Sequence, residues 1–261
     1  MNLPISMIAG LALLSQPLSH AQTPCQVKSG PSRAALVELY TSEGCSSCPP
    51  ADEALRLLHR AAGPGAEVIP LALHVSYWDR IGWKDMYAQK TFDDRQQSLV
   101  SAAGGKLVYT PQFFVNGREL RSWNGSMQRT LAEAGTRPPG AHITLTSAQP
   151  KPGAISLDAV ATAAPTTGRQ ALFVALTESA LVSHVTRGEN SGATLHHDAT
   201  VRTWIGPVAL TAGKASIRQQ VPLAPDWNPA HLHAVAFVQD IDDGAILQAV
   251  STARCAMPGR S

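Results

Sequence analysis

Beyond Gln22 the sequence has no run long and apolar enough to cross a bilayer as a helix, so stable membrane insertion is not expected. Charge is scarce and nearly balanced: 21 Lys and Arg stand against 19 Asp and Glu, and charged residues make up 15% of the chain. There is no basic stripe and no acidic tail. Nucleic acid is therefore not an expected partner, and nothing steers the protein to an anionic membrane. No internal repeat is present, and no low-complexity tract apart from alanine richness.

The first residues, MNLPISMIAGLALLSQPLSHAQ, carry the features of a secretory signal peptide. Their apolar stretch, Ile5 to Leu14, is too short to span, and Ser19-His20-Ala21 is a small-x-small cleavage site. The segment lacks Lys and Arg, leaving only the terminal amine as a positive charge. Residues 1–21 are expected to be removed, placing the mature protein in the periplasm or outside the cell.

Export gives the cysteines a meaning. The mature chain holds Cys25, Cys45, Cys48 and Cys255, an even number in an oxidising compartment. Two sit together, and the others lie near the two ends, so Cys25 with Cys255 is the natural second pair. Closing so long a loop stabilises by roughly 5 kcal/mol in the chain-entropy model, an upper figure.

Two patterns divide the mature chain. Strand-like AALVELY (Ala34–Tyr40) leads through the cysteine turn to a helix expected over Ala51–Ala62, stopped by Gly63-Pro64-Gly65. A strand over Glu67–Val75 follows, then a helix over Asp93–Ala103, a hairpin around Asn116-Gly117 and a helix from about Ser126 to Ala134. After GTRPPGA (Gly135–Ala141) come seven alternating apolar stretches separated by turn residues: His142–Ala148, Ala154–Ala161, Ala171–Glu178, Ala199–Ile205, Ala215–Pro222, His231–Gln239 and Ile246–Thr252. The expectation is an α/β domain over 33–136 followed by an antiparallel β-sandwich domain over 141–255.

TSEGCSSCPPAD (Thr41–Asp52) sets Cys45-x-x-Cys48 between a buried strand and a helix. Backbone N–H groups and the helix dipole there favour a thiolate, and the spacing lets the second cysteine resolve a mixed disulfide formed by the first. Cys45 is expected to be the exposed attacker. The double proline opposes part of this: a residue before proline avoids the helical region, so Cys48 and Pro49 are expected extended, with the helix starting at Pro50. Downstream, Thr110-Pro111 enters a strand. A cis Pro111 would carry the Thr110 backbone beside the cysteines, able to hydrogen-bond an extended substrate.

VELYTSEGCSSCPPAD (Val37–Asp52), HVSYWDRIGWKD (His74–Asp85) and VYTPQFFVNG (Val108–Gly117) closely resemble the secreted, thioredoxin-like domain-of-unknown-function family 1223. TRGENSGATLHHDATVR (Thr186–Arg202) is similar to that family's signature in its second domain. The resemblance implies a thioredoxin-like N-terminal domain with Cys45, Cys48 and Pro111 as its centre. It implies no substrate.

Other residues have two readings each. Glu38, buried in the first strand, is either a proton shuttle for Cys48 or a structural carboxylate paired with loop N–H groups or an arginine. Tyr77, Trp78 and Trp83 form an aromatic wall for a partner or pack as core and lid; Asp79 and Asp85 suit turns and caps. His74 with the two cysteines is one route to copper or zinc, while His196-His197 and His231-x-His233 suggest either a second metal site in the sandwich or ordinary surface residues. The polar stretch Ser183–Asp198 is long for a loop and either binds a partner or ties the two halves together.

The leading expectation is an exported thiol–disulfide oxidoreductase acting on protein or small thiols, with no cofactor. Metal delivery and a non-enzymatic module with a static Cys45–Cys48 bond are the alternatives. Exported protein thiols or a redox partner are the expected partners, and the sequence assigns no oligomeric state.

Overall fold

The computed structural model describes residues 24–58, 67–151, 153–166 and 168–256. The signal-peptide reading and the expected end of the first helix lie outside these residues. The fold is mostly β with few helices. Its strands are β1 (Cys25–Lys28), β2 (Ala35–Thr41), β3 (Val68–His74), β4 (Gln112–Val115), β5 (Arg118–Glu119), β6 (Ala141–Lys151), β7 (Ala154–Ala163), β8 (Gln170–Glu178), β9 (Leu181–His184), β10 (Thr194–His197), β11 (Thr200–Ala209), β12 (Lys214–Pro222), β13 (Leu232–Asp240) and β14 (Ile246–Ser251). Among the described residues, the α-helices are α1 (Pro49–Arg56), α2 (Lys90–Ala102) and α3 (Trp123–Gly135).

Strands from both halves of the chain join in one eight-stranded sheet, ordered β14-β13-β8-β11-β3-β2-β4-β5. The two halves meet where Thr200 of β11 pairs in parallel with Ala72 of β3, and Ala72 N donates to Ala199 O at 2.9 Å. This satisfies what would otherwise be an open edge of β3. A four-stranded antiparallel sheet, β1-β6-β7-β12, packs on the second half, and β9 and β10 form a separate hairpin. The sequence pattern suggests two separately cored units. In the structure one apolar cluster holds Leu36, Tyr40, Leu71 and Leu73 together with Phe173, Val235 and Phe237, covered by Phe92 and Leu99 of α2.

The alternation of β2 explains how the layers form. Leu36 and Tyr40 face the α2 side, while Val37 and Leu39 face Ala51 and Leu55 of α1 and Leu131 of α3. Beside those helices, on the second half, Leu172, Val174 and Leu176 of β8 bury against Leu145 and Leu157 of the four-stranded sheet. The Cys25–Cys255 disulfide, with Cα atoms 6.0 Å apart, pins β1 to the segment after β14.

Local chemistry sets the ends of these elements. At the β4–β5 hairpin Asn116 and Gly117 have φ of +48° and +78°. A Cβ on Gly117 would lie 1.8 Å from Gly244 O, so this position excludes any side chain as well as favouring glycine's backbone freedom. Helix α2 begins at Lys90, earlier than the expected Asp93, supported by the i,i+4 pair Lys90–Asp94. Helix α1 begins at Pro49. Cys48 has φ −79° and ψ −37°, which corrects the expectation that it is extended. Its carbonyl accepts from Ala51 N at 2.8 Å and Asp52 N at 3.0 Å, and these bonds outweigh the steric bias of a residue before proline.

Candidate functional site

After β2, two successive turns wind the chain into α1: Cys45 N donates to Ser42 O and Cys48 N to Cys45 O, both at 3.1 Å. Cys45 and Cys48 form a disulfide with Cα atoms 5.4 Å apart. Pro49 and Pro50 occupy the first helical positions and carry no N–H, and the next two N–H groups are spent on the Cys48 carbonyl. The helix start therefore offers its dipole more than free donors. A polar partner for Cys45 Sγ comes from Ser47, whose Oγ lies 3.3 Å away.

Ser46 and Ser47 are exposed, but both cysteines are 0% exposed. This corrects the expectation of an exposed attacking sulfur. The polar stretch predicted as a loop is in fact the hairpin β9–β10 with its connection, 185–193, drawn across the cysteine turn. Asn190 Nδ2 donates to Glu43 O at 2.8 Å and to Cys45 O at 3.0 Å. Glu189 Oε2 accepts from Ser46 N at 2.9 Å, and that contact holds the Glu189 carboxyl below its ordinary range. Gly188, with φ +74°, lies against Trp83: an added Cβ would come 3.3 Å from Trp83 Cβ. Of the two readings of this segment, the structure supports the tie between halves.

The Thr110–Pro111 peptide is cis. The antiparallel pair Tyr40–Gln112 puts Pro111 beside the end of β2, where the cysteine turn begins. Trp78 Nε1 donates to Thr110 Oγ1 at 2.7 Å, and the Trp78 Cβ sits 3.4 Å from where a Cβ on Gly44 would be. Trp78 thus braces the proline loop against the cysteine turn. Tyr77 does not join it in a wall. Its hydroxyl donates to Gln96 Oε1 at 3.2 Å, and burial pushes its pKa up to about 12.

Glu38 lies on the α2 side of β2, whereas α1 and its cysteines pack on the other side. Its carboxylate accepts from Arg95 Nε at 2.7 Å, Arg95 Nη2 at 2.8 Å and Tyr40 OH at 3.0 Å. The Arg95 guanidinium in turn sits 4.6 Å from the centre of the Trp204 ring. Glu38 is the structural carboxylate of the two readings, not a shuttle for Cys48.

A buried cluster that the sequence reading dispersed lies behind the disulfide. His74 Nδ1 meets Asp85 Oδ2 at 2.7 Å, His197 Nε2 meets Glu43 Oε1 at 3.1 Å, and the two imidazoles are 5.0 Å apart. Trp83 Nε1 donates to Glu43 Oε2 at 2.7 Å, and Glu43 N donates to Asp85 Oδ2 at 2.9 Å. Burial alone would lower the His74 pKa, but the Asp85 carboxylate outweighs it and raises it; Asp85 is correspondingly lowered against its own burial. Asp85 is therefore more than a turn residue. His197 is buried rather than on the surface, and it shares a face of β10 with buried Leu195. That alternation was the available signal.

Asp52 is the acid that sequence reasoning missed. It follows Cys48 by four residues, so the two share a face of α1. Burial raises its pKa to about 6, with His74 and His197 pulling it down. Because the folded pKa lies above the unfolded value of 3.8, the ionised side chain weakens the fold as pH rises through that interval. Asp52→Asn is therefore expected to stabilise the protein at pH 8, by up to about 3 kcal/mol, and to leave it unchanged near pH 3. Denaturant titrations at the two pH values check this. Among the described residues, no group of three or more His, Cys, Asp or Glu is arranged to hold a metal ion. No helix among them is long and apolar enough to cross a membrane.

The family described as "Protein of unknown function (DUF1223)" matches residues 36–239. No curated protein matches the sequence at a significant level. Among solved structures, a protein of Agrobacterium tumefaciens is similar at 24% identity and TM-score 0.58, over 84% of this chain and 94% of that one. HBP35 of Porphyromonas gingivalis is similar at 15% identity and TM-score 0.64, over 85% of this chain and 76% of that one. At these identities the likeness is one of fold.

Proposed function

The chain belongs to the DUF1223 family of proteins of unknown function, and from that premise we propose that it is an exported thiol–disulfide oxidoreductase with Cys45–Cys48 as its redox couple. The observation that carries this is a disulfide at the start of α1, between parallel strands β2 and β3 and beside a strand entered through cis Pro111. That constellation supports a thioredoxin-like centre. Cys45, preceding the helix and contacted by the Ser47 hydroxyl, is the attacking sulfur. Cys48, in the first turn's register, is the resolver. Pro111 and Thr110 shape the groove, and Trp78 holds them in place.

The full burial of both sulfurs favours a second reading, a static disulfide in a binding module. Trapping separates the two. Cys48→Ala, which leaves Cys45 without its resolver, is expected to accumulate mixed disulfides with exported thiol proteins and with small disulfide reagents. Mass spectrometry of non-reduced samples would show the adduct on Cys45. A Cys48→Ala protein that forms no such adduct while folded contradicts the exchange reading and leaves the static one.

A further inference from the structure

The stretch that joins β9 to β10 carries its own hydrogen bonds. Val185 N donates to Ala193 O at 3.0 Å, Gly192 N to Val185 O at 2.8 Å and Ala193 N to Asn190 O at 3.0 Å, and Ser191 Oγ donates to Thr186 O at 3.1 Å. Its stem is anchored, because Val185, Leu195 and His197 are buried and His197 pairs with Glu43. Its tip is not: Thr186, Arg187, Glu189, Ser191 and Gly192 are exposed. A tip with few buried contacts can lift while its stem stays folded. Consecutive residues tie it to the cysteine turn. Gly188 lies against Trp83, Glu189 accepts from Ser46 N, and Asn190 donates to Glu43 O and Cys45 O. Cys45 O and Ser46 N belong to one peptide unit, so Glu189 and Asn190 grip both ends of the bond that follows Cys45.

We propose that Gly188-Glu189-Asn190 fills, within the chain, the docking site of a partner polypeptide that presents the same chemistry: glycine, then a carboxylate, then a side-chain amide. The use of this site in exchange rests on the reading above. The turn itself sets the three requirements. Ser46 is exposed, and its N–H is best matched by a carboxylate, since a charged acceptor makes the stronger bond. Glu189 is held below the ordinary carboxyl range there and is ionised at neutral pH. Glu43 O and Cys45 O are both reached by Asn190 Nδ2. That takes two N–H bonds on one nitrogen, and a main-chain amide has one. At Gly188 φ is +74° and a Cβ would come 3.3 Å from Trp83 Cβ, so glycine is favoured on both counts. Ile81, 36% exposed, adds an apolar contact on the seam: its Cδ1 lies 3.7 Å from where a Cβ on Gly44 would be and 3.9 Å from where one on Gly188 would be. A partner with these groups replaces the tip and leaves no turn group unpaired. One without them leaves polar groups unmatched and is rejected.

The probe is a cyclised, fluorescein-labelled peptide of residues 185–193, and its binding to the oxidised full chain is read by fluorescence anisotropy. The native protein holds its own tip at the site at an effective concentration that a free peptide does not match. Glu189→Ala with Asn190→Ala frees the site. The double variant is expected to bind the peptide about tenfold or more tighter than the native chain does. A peptide with alanine at both of these positions is expected to lose that gain. A second arm offers the reduced protein two short peptides, Cys-Gly-Glu-Asn and Cys-Gly-Ala-Ala, each with its cysteine capped by thionitrobenzoate. The Cys45 thiolate attacks the peptide sulfur, and thionitrobenzoate leaves as a thiolate. Cys48 then loses its proton to solvent and attacks Cys45 Sγ, and the peptide leaves as a thiolate that takes up a proton. Two electrons pass from the cysteine pair to the peptide disulfide. The double variant is expected to react about tenfold faster with the Gly-Glu-Asn peptide, whereas the native chain discriminates by less than about twofold.

Equal affinity of the double variant for the two cyclised peptides overturns the docking site. So does equal release from both capped peptides in both proteins, which leaves exchange itself intact. Discriminating binding with no thionitrobenzoate released from either peptide supports the docking site and contradicts exchange. Equally tight peptide binding by the native chain shows that the tip is no competitor and overturns the proposal. Glu189→Ala alone, at an exposed residue, is expected to give a smaller gain of the same sign, and circular dichroism and melting curves verify that both variants fold.

Discussion

Reduction of the Cys45–Cys48 bond by dithiothreitol is expected to speed up roughly 5- to 100-fold in Asn190→Ala. Both sulfurs are buried in a turn that the 185–193 connection ties down, and a reductant is expected to reach them through movement of that connection. Asn190 holds that connection with two hydrogen bonds, to Glu43 O and Cys45 O. Losing two such bonds costs about 1–3 kcal/mol. If closed and open states interconvert quickly, that energy appears almost directly as a larger open population and a faster rate, tenfold for each 1.4 kcal/mol. Glu189→Gln should add a smaller, pH-dependent increment. Its carboxyl is held below the ordinary range by Ser46 N–H, so the contact is present at neutral pH and fades as the carboxyl protonates in acid. The rate is read by quenching with an alkylating agent and counting modified Cys45 and Cys48. An unchanged rate in Asn190→Ala would mean that the sulfurs are reached by another route.

The largest loss of stability from one substitution is expected at Arg95. Among the described residues, Arg95→Met leaves the buried Glu38 carboxylate with Tyr40 OH as its remaining hydrogen-bond partner, and breaking such a pair costs about 3–5 kcal/mol. The same change also removes the guanidinium from over Trp204 and Phe237. Replacing both members, Glu38→Leu with Arg95→Met, should recover a good part of the loss, because the uncompensated charge is then gone. The double variant is expected to reduce thionitrobenzoate disulfides within about twofold of the native rate per folded molecule, since Glu38 lies on the opposite side of the sheet from the cysteines. Thermal melting gives the first quantity and single-turnover kinetics the second. A double variant that folds but exchanges tenfold more slowly would restore Glu38 to the reaction.

Much of the fold could be read from local pattern. The seven alternating stretches after Gly135 coincide with β6, β7, β8, β11, β12, β13 and β14 to within a few residues, because a half-buried strand writes its burial directly into alternation. The Asn116-Gly117 hairpin was legible because both residues take positive φ. The junction of the two halves was not: a single pair, Thr200 with Ala72, leaves no periodic trace. Nor was β1, whose four residues gain their place from β6 and the Cys25–Cys255 bond.

The site divides in the same way. The cysteine pair, Thr110-Pro111 and Trp78 announce themselves by residue type and order along the chain. The cysteine turn is held by Glu189, 143 positions from the Ser46 N–H it accepts, and by Asn190, 145 positions from the Cys45 carbonyl it binds, and no local pattern encodes that. Cys48 adopts a helical conformation against the bias of its proline neighbour because tertiary and helical bonds together exceed a local steric preference. Glu38 and Asp52 illustrate the point most clearly. Both are acids near the cysteines in sequence, and only the structure separates them: Glu38 pairs with Arg95 on the α2 side of the sheet, while Asp52 sits on α1 under the influence of His74 and His197.

Cys45–Cys48 is proposed here as an exchange couple and not a static staple. A redox titration in graded dithiothreitol buffers, with Cys45 and Cys48 alkylation followed separately from Cys25 and Cys255, tests it most directly. The expected result is a reversible two-electron transition of Cys45–Cys48 while Cys25–Cys255 stays closed and the protein stays folded. A pair that opens only when Cys25–Cys255 opens and the fold is lost would contradict it.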